Sequence, residues 1–173
     1  MQIYLIGFMG SGKSYTGQQL AQLLNRRFID LDDWIEQEEA LSIREIFEQQ
    51  GEGHFRQAEA QALRQMVQEP PAVIATGGGT PCFHQNMEWM NANGLTVYLD
   101  TAPEVLLQRL KSGRDHRPLI RSLTDEGLRA YISQKLRERR PFYQQASVVY
   151  TQETGQEAVA EDLAHQFSNI IGH

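Results

Sequence analysis

Cysteine is almost absent from this chain: Cys82 is the only one in 173 residues. No intramolecular disulfide is therefore possible, and a single thiol two residues from His84 does not make a metal site. Lysine is scarce too, limited to Lys13, Lys111 and Lys135, so arginine carries most of the positive charge. No stretch approaches the ~20 apolar residues of a membrane span. The first residues enter an apolar β-type run directly, without the charged and apolar segments of a secretion signal. The expectation is a cytoplasmic protein with no membrane partner. A formal charge of −6 argues equally against general affinity for nucleic acid, which needs a basic surface. Against that acidic background, eight of the thirteen arginines fall between Arg109 and Arg140. Such a segment either attracts a polyphosphate or acidic substrate or forms a solvated helix face.

What is present is ordinary globular composition, 40% hydrophobic and 22% charged, in a length that suits one domain. The opening MQIYLIGFMGSGKS contains Gly7-Phe8-Met9-Gly10-Ser11-Gly12-Lys13-Ser14, a full match to G-x-x-x-x-G-K-[ST]. In that pattern the glycines turn backbone N–H groups toward a phosphate, the lysine reaches the outer phosphates and the hydroxyl ligates Mg²⁺. The alternative is a glycine turn that binds nothing. Context favours the phosphate loop, because Ile3–Ile6 reads as a buried strand before it and Leu20, Leu23 and Leu24 keep helical spacing after it.

Apolar β-type runs recur at Ile3–Ile6, Phe28–Leu31, Ala72–Ala75, Leu95–Leu99 and Ser147–Tyr150, with helical patterns between them. That alternation predicts an α/β fold, a parallel sheet with helices on both faces. Ser42-Ile43-Arg44-Glu45 and Thr101-Ala102-Pro103-Glu104 have the form of helix starts. Gly51-Glu52-Gly53 separates two helical segments, Pro70-Pro71 ends the second, and Pro141 ends or kinks a long helix that begins near Thr124. The forty or so residues from Asp32 to Pro71 exceed what a crossover needs, which suggests a small helical insert. Ser112-Gly113-Arg114-Asp115-His116-Arg117-Pro118 has the composition of a mobile flap over phosphates or of a plain surface loop.

Ligands of an open parallel sheet bind beyond the carboxyl ends of its strands. After the second strand, Asp30 and Asp32 are two apart and face one side of an extended chain. They suit a division of labour, one near Mg²⁺ and one accepting a hydrogen bond from the hydroxyl to be phosphorylated, unless they merely cap a helix. Asp33, with Glu36 three residues on, reads better as a helix N-cap. After the third strand comes Thr76-Gly77-Gly78-Gly79-Thr80-Pro81, where three glycines leave room for a ligand against the backbone or make a tight turn. Arg56 and Glu59, three apart in the insert, either form a surface pair or aim a guanidinium fork at a substrate carboxylate.

Together these segments resemble the shikimate kinase family. The motifs are GFMGSGKS, FIDLDDWIE, the Ser42–Phe47 helix with GEGHFRQAE, ATGGGTP, HRPLI and RERRPFY, in the family's order from Ile3 to about Tyr150. The resemblance implies a three-layer P-loop NTPase fold, nucleoside monophosphate kinase-like, with a five-stranded parallel sheet of order 2-3-1-4-5 and a lid. It implies one kinase domain over residues 1–173, with a substrate-binding insert at about 32–61 and a lid at about 112–123. The implied reaction is ATP-dependent phosphorylation of the shikimate 3-hydroxyl, on the way to chorismate and the aromatic amino acids, with Mg²⁺ as cofactor. Another small-metabolite kinase, such as a gluconate kinase, is the runner-up. Composition is compatible with a monomer.

Carried over by motif, Asp32, Arg56, Gly79 and Arg140 are the implied shikimate contacts. The two arginines hold its carboxylate and Asp32 meets the reacting hydroxyl. Lys13 and Arg117 neutralise the transferring phosphoryl, which with Asp32 completes the implied catalytic set. Gly10, Ser11, Gly12, Lys13, Ser14 and Tyr15 form the nucleotide loop, Arg109 lies beside the adenine, and Ser14 and Asp30 stand on the Mg²⁺ side. Glu59 is the implied orienter of Arg56. Two features depart from the family's habit: Tyr15 stands where a small residue is usual, and Thr151–Gly155 lacks the Asp and the basic or Pro residues often found around the adenine.

Overall fold

Gln2 shows how the sheet begins. It is a polar residue buried at the foot of β1 (Gln2–Ile6), where its amide donates to Met66 O and Glu69 O and accepts from Ala72 N. A buried amide has to be satisfied in this way, and the bonds tie β1 to the entry of β3 (Ala72–Ala75). Beyond it, Ile3 and Leu5 point to one face of the sheet while Tyr4 and Ile6 point to the other, as strand geometry requires. Both faces are covered, so β1 is fully buried and apolar from Ile3 onward.

The computed structural model describes residues 1–117 and 119–171, so Pro118 of the expected flap lies outside the described residues. The other strands are β2 (Arg27–Asp30), β4 (Gly94–Thr101) and β5 (Val148–Gln152). All pairs are parallel, in the order β2-β3-β1-β4-β5. Helix α1 (Lys13–Leu23) and helix α7 (Val159–Ile171) pack on the Ile3/Leu5 face, where Leu20, Leu163 and Phe167 are buried. The opposite face carries α2 (Leu31–Glu39), α3 (Ile43–Gln65), α4 (Asn86–Asn93), α5 (Pro103–Ser112) and α6 (Asp125–Tyr143). The chain leaves β1 for β2 on one side and later crosses to β4 on the other. Such a reversal opens a crevice beyond the strand ends, where the residues after β1, β2 and β3 converge.

Local signals act largely as expected. Ser42 and Glu45 complete a reciprocal capping box at the start of α3, and Thr124 caps α6 through Gly127 N. Gly51, at φ 84° and ψ 169°, is non-helical and breaks α3 into two helical segments, as expected. Thr101 does not cap α5: Ala102 holds that position, and the Thr101 hydroxyl accepts from Gln152 Nε2 instead. Pro141 sits in the last turn of α6, which runs on to Tyr143. Gly94 faces Gln2 across β1–β4, and a Cβ there would stand 2.5 Å from Gln2 O and 2.7 Å from the Tyr4 ring. Gly94→Ala should therefore lower the unfolding free energy by about 1–3 kcal/mol, read from the denaturant midpoint. A midpoint at the wild-type value would show that the strand edges shift freely.

Candidate active site

The loop between β1 and α1 is set by glycines in conformations that L side chains rarely adopt. Gly10 and Gly12 have φ of 84° and 89°, and Leu110 lies directly beneath Gly10. Gly12 caps α1, so the helix N-terminus and its free N–H groups open into the loop. Lys13 folds back across it, donating to Gly7 O at 2.8 Å and Phe8 O at 3.0 Å. Burial pushes the Lys13 ammonium down to about 8; Asp32 opposes this shift, and the positive Arg139 and Arg117 reinforce it. It still carries its charge near neutral pH.

The β2–α2 junction brings two carboxylates to the same place. Asp30 ends the strand and caps the helix, its Oδ1 accepting from Asp32 N at 3.1 Å and its Oδ2 from the Ser14 hydroxyl at 2.7 Å. The cap is thus Asp30, whereas the sequence pointed to Asp33, which lies in the first helical turn. Asp30 serves as both cap and site residue. The pair converges because the helix begins at the strand's last residue, not because an extended chain aims both side chains one way. Asp32 Oδ1 is buried and has no hydrogen-bond partner among the described residues. Burial first, then Asp30 and Glu59, push its carboxyl up to about 6, with Lys13 pulling the other way. At neutral pH Asp32 is predominantly an anion with an unfilled acceptor.

The third wall comes from α3 and the glycines after β3. Glu59 is fully buried, its Oε1 accepting from Arg56 Nη1 at 2.9 Å and its Oε2 from the Thr80 hydroxyl at 2.6 Å. A Cβ on Gly79 would stand 2.7 Å from Arg56 Nη2, so glycine is needed there to admit the guanidinium. The same cleft is lined by Met9, Lys13, Ser14, Asp30, Asp32, Arg56, Gly79, Arg117 and Arg139.

Arg140, expected from its motif, is not among them. It lies in a separate groove between α5 and α6 with Pro103, Glu104, Leu107 and Arg129. The arginine that enters the cleft is Arg139, its guanidinium over the Phe8 ring and 3.0 Å from where a Cβ on Gly78 would be. Successive helical residues diverge by about 100°, so only one of an adjacent pair can face the cleft. Tyr143, four residues after Arg139, marks that face: it is fully buried and donates to Gly78 O at 2.5 Å.

On the other side of Gly12 a second pocket is lined by Ser11, Tyr15, Gln19, Arg109, Gln152, Gly155 and Glu157. Arg109 is held by Gly10 O at 3.1 Å, Gln152 Oε1 at 3.3 Å and Gly155 O at 3.2 Å. Gln152, buried and also donating to Ser11 O at 3.0 Å, connects β5 to the loop. Its role was not apparent in the sequence, where a lone glutamine carries no motif. Tyr15 is exposed, its hydroxyl accepting from Gln19 Nε2 at 3.1 Å.

The family model for shikimate kinase matches residues 9–170. The chain belongs to the shikimate kinase family. It is 39% identical to the shikimate kinase of Parabacteroides distasonis over 98% of this chain and 96% of that one. With the shikimate kinase of Bacteroides fragilis it shares 43% identity over 87% of this chain and 84% of that one. Among solved structures, the shikimate kinase of Bacteroides thetaiotaomicron superposes with a TM-score of 0.91 at 36% identity, covering 100% of this chain and 99% of that one. The enzyme from Acinetobacter baumannii, solved in complex with shikimate, gives 0.82 at 36% identity, covering 98% and 92%. A shikimate kinase transfers the γ-phosphoryl of ATP to the 3-hydroxyl of shikimate, and this is the reaction of the chain. Its sheet order and loop are those of the nucleoside monophosphate kinase-like P-loop fold. Nothing supports the gluconate kinase alternative.

In this shikimate kinase the Glu59 carboxylate has no access to solvent and depends on Arg56 and Thr80. Glu59→Ala removes the partner of a guanidinium that is itself only 12% exposed, and should cost about 3 kcal/mol of stability. Equilibrium denaturation measures this. A loss below about 0.5 kcal/mol, the range of ordinary surface substitutions, would mean that Arg56 finds water when its partner is removed.

Proposed function

We propose that the cleft divides the phosphoryl transfer between two groups of residues, with Asp32 at their junction. Arg56 and Arg139 clamp the shikimate carboxylate beside Gly79, and Lys13 and Arg117 face the transferring phosphoryl. The observation that carries this reading is Asp32 Oδ1, a buried acceptor without a partner in a cleft that also holds those four cations. An acceptor hydroxyl bound there would donate its hydrogen bond to Asp32. As its oxygen bonds to the γ-phosphorus and the bond to the leaving ADP breaks, the hydroxyl proton passes to the carboxylate. The shikimate complex of the Acinetobacter baumannii relative supports the identity of the acceptor.

Clamping suits arginine because a carboxylate is planar and bidentate, and the guanidinium fork matches it. The clamp fixes the ring so that one hydroxyl meets Asp32, and orientation of this kind supplies much of the rate in phosphoryl transfer. Arg117 and Leu119 line the cleft from the segment between α5 and α6, which supports reading residues 112–123 as a lid. Residues 32–61 are in turn the acceptor-binding insert, because Asp32, Arg56 and Glu59 all come from it. Arg109, fixed at both ends, is a wall for the adenine, and Tyr15 flanks the same pocket.

Ser14 and Asp30 offer a hydroxyl and a carboxylate 2.7 Å apart at the mouth of the loop. These hard oxygen donors fit Mg²⁺, which prefers few protein ligands and completes its shell with water and phosphate oxygens. Bound there, the ion would neutralise charge on the β- and γ-phosphates. Asp30 would act through water, as the resemblance implies, with its Oδ1 held by the helix cap and its Oδ2 by the Ser14 hydroxyl.

Lys13→Met should reduce kcat by at least about 100-fold, as loss of one preorganised donor does elsewhere, with the fold intact by circular dichroism. Near-normal turnover would refute the phosphoryl role. Arg139→Ala should raise KM for shikimate by about 10-fold or more and leave KM for ATP within about twofold, whereas Arg140→Ala should leave both within about twofold. Steady-state kinetics of the two variants tests the assignment. The reverse pattern would return the carboxylate to Arg140.

A further inference from the structure

Phe83 does not line the cleft, yet its ring lies under the guanidinium of Arg56, with Arg56 Cζ 4.1 Å from the ring centroid. Arg56 is thereby enclosed. Glu59 takes one edge at 2.9 Å, Glu52 approaches another at 3.5 Å, and the backbone of Gly79 leaves no space for a side chain. A single carboxylate would allow the fork to pivot about its hydrogen bond. A ring 4.1 Å from Cζ restricts that freedom, because the guanidinium must stay close to the ring to keep the contact.

The backbone that presents Phe83 is strained. His84 and Gln85, which follow it, both occupy the left-handed region at φ 49° and 55°, a conformation unfavourable to residues other than glycine. A second arginine holds that turn in place. Arg64 donates to His84 O at 2.9 Å and to Asn86 Oδ1 at 3.0 Å, and the fully buried Asn86 donates in turn to Thr80 O at 2.9 Å. One network therefore fixes both supports of Arg56: Thr80, which holds Glu59, and Phe83, which carries the stack. Backbone strain persists only where the surroundings over-determine it, and here the over-determined feature is the position of one aromatic ring.

We propose that Phe83 is a positioning residue for acceptor binding, holding the Arg56 guanidinium in the orientation that receives the substrate carboxylate. The inference rests on the clamp assigned above to Arg56. Its test is a double-mutant cycle of Phe83→Leu and Arg56→Ala, with Phe83→Tyr as the conservative control, followed by KM for shikimate, KM for ATP and kcat. Phe83→Leu should raise KM for shikimate about 3- to 10-fold, the range of a partly desolvated cation–aromatic contact, while kcat and KM for ATP stay within about twofold. Phe83→Tyr should match the wild type, and Phe83→Leu should add nothing once Arg56 is alanine. Where the leucine variant does not fold, Phe83→Met keeps the bulk, loses the ring and carries the same expectation. An unchanged KM in Phe83→Leu beside a raised KM in Arg56→Ala would overturn the role of Phe83 alone. So would an equal effect of Phe83→Leu in both backgrounds. An unchanged KM in Arg56→Ala would overturn the clamp and the role of Phe83 with it.

Discussion

A carboxylate taken fully out of water must be matched, and Glu59 is the residue that imposes this on the acceptor side of the enzyme. Its two oxygens are occupied by Arg56 and Thr80, so the helix that carries Arg56 and the glycine turn after β3 are joined through one buried charge. The approach is close enough that Gly79 has no room for a Cβ. Removing the carboxylate would free the guanidinium and leave the turn without a counterpart. The geometry of the cleft thus depends on an ion pair whose own stabilising value is modest but whose loss is costly.

Lys13 and Asp32 show the same economy in opposite charges. Each is shifted by burial toward its neutral form and each restrains the shift of the other, so both remain charged near neutral pH in a cleft crowded with other charges. Asp32 keeps a vacant acceptor, and Lys13 bonds to loop carbonyls that a phosphate oxygen can replace. Little covalent chemistry is required of such a site. Position and field are its contributions.

Much of this was legible in the chain. The five apolar runs became the five strands within two residues at each end; the inner strands β1 and β3 are buried on both faces and leave continuous apolar stretches, whereas the edge strands β2 and β5 are partly exposed. The loop, the Asp30–Asp32 pair, Arg56, Glu59 and Gly79 were legible because each carries a residue type that its chemistry demands. Legibility failed where rotation decides. Arg139 and Arg140 are adjacent and identical, and only the phase of α6 against the sheet chooses between them; Tyr143, four residues on, was the available signal. Asp30, Asp32 and Asp33 posed the same difficulty at the next helix, where the cap falls on the strand's own last residue. Gln152 left no trace at all, since its importance lies in the elements it joins and not in its own chemistry.

The two pockets share a single partition. Gly12 and Tyr15 line both, one from a backbone without a side chain and one from an exposed ring. The pocket with Arg109 and Gln152 is bounded by α1, α5, the end of β5 and the start of α7, and the cleft with Asp32 and Arg56 by α1, α2, α3 and α6. The phosphate loop is the backbone that borders both. Substitutions in α2 and α3 can therefore reshape the cleft without touching any residue that lines the pocket with Arg109 and Gln152.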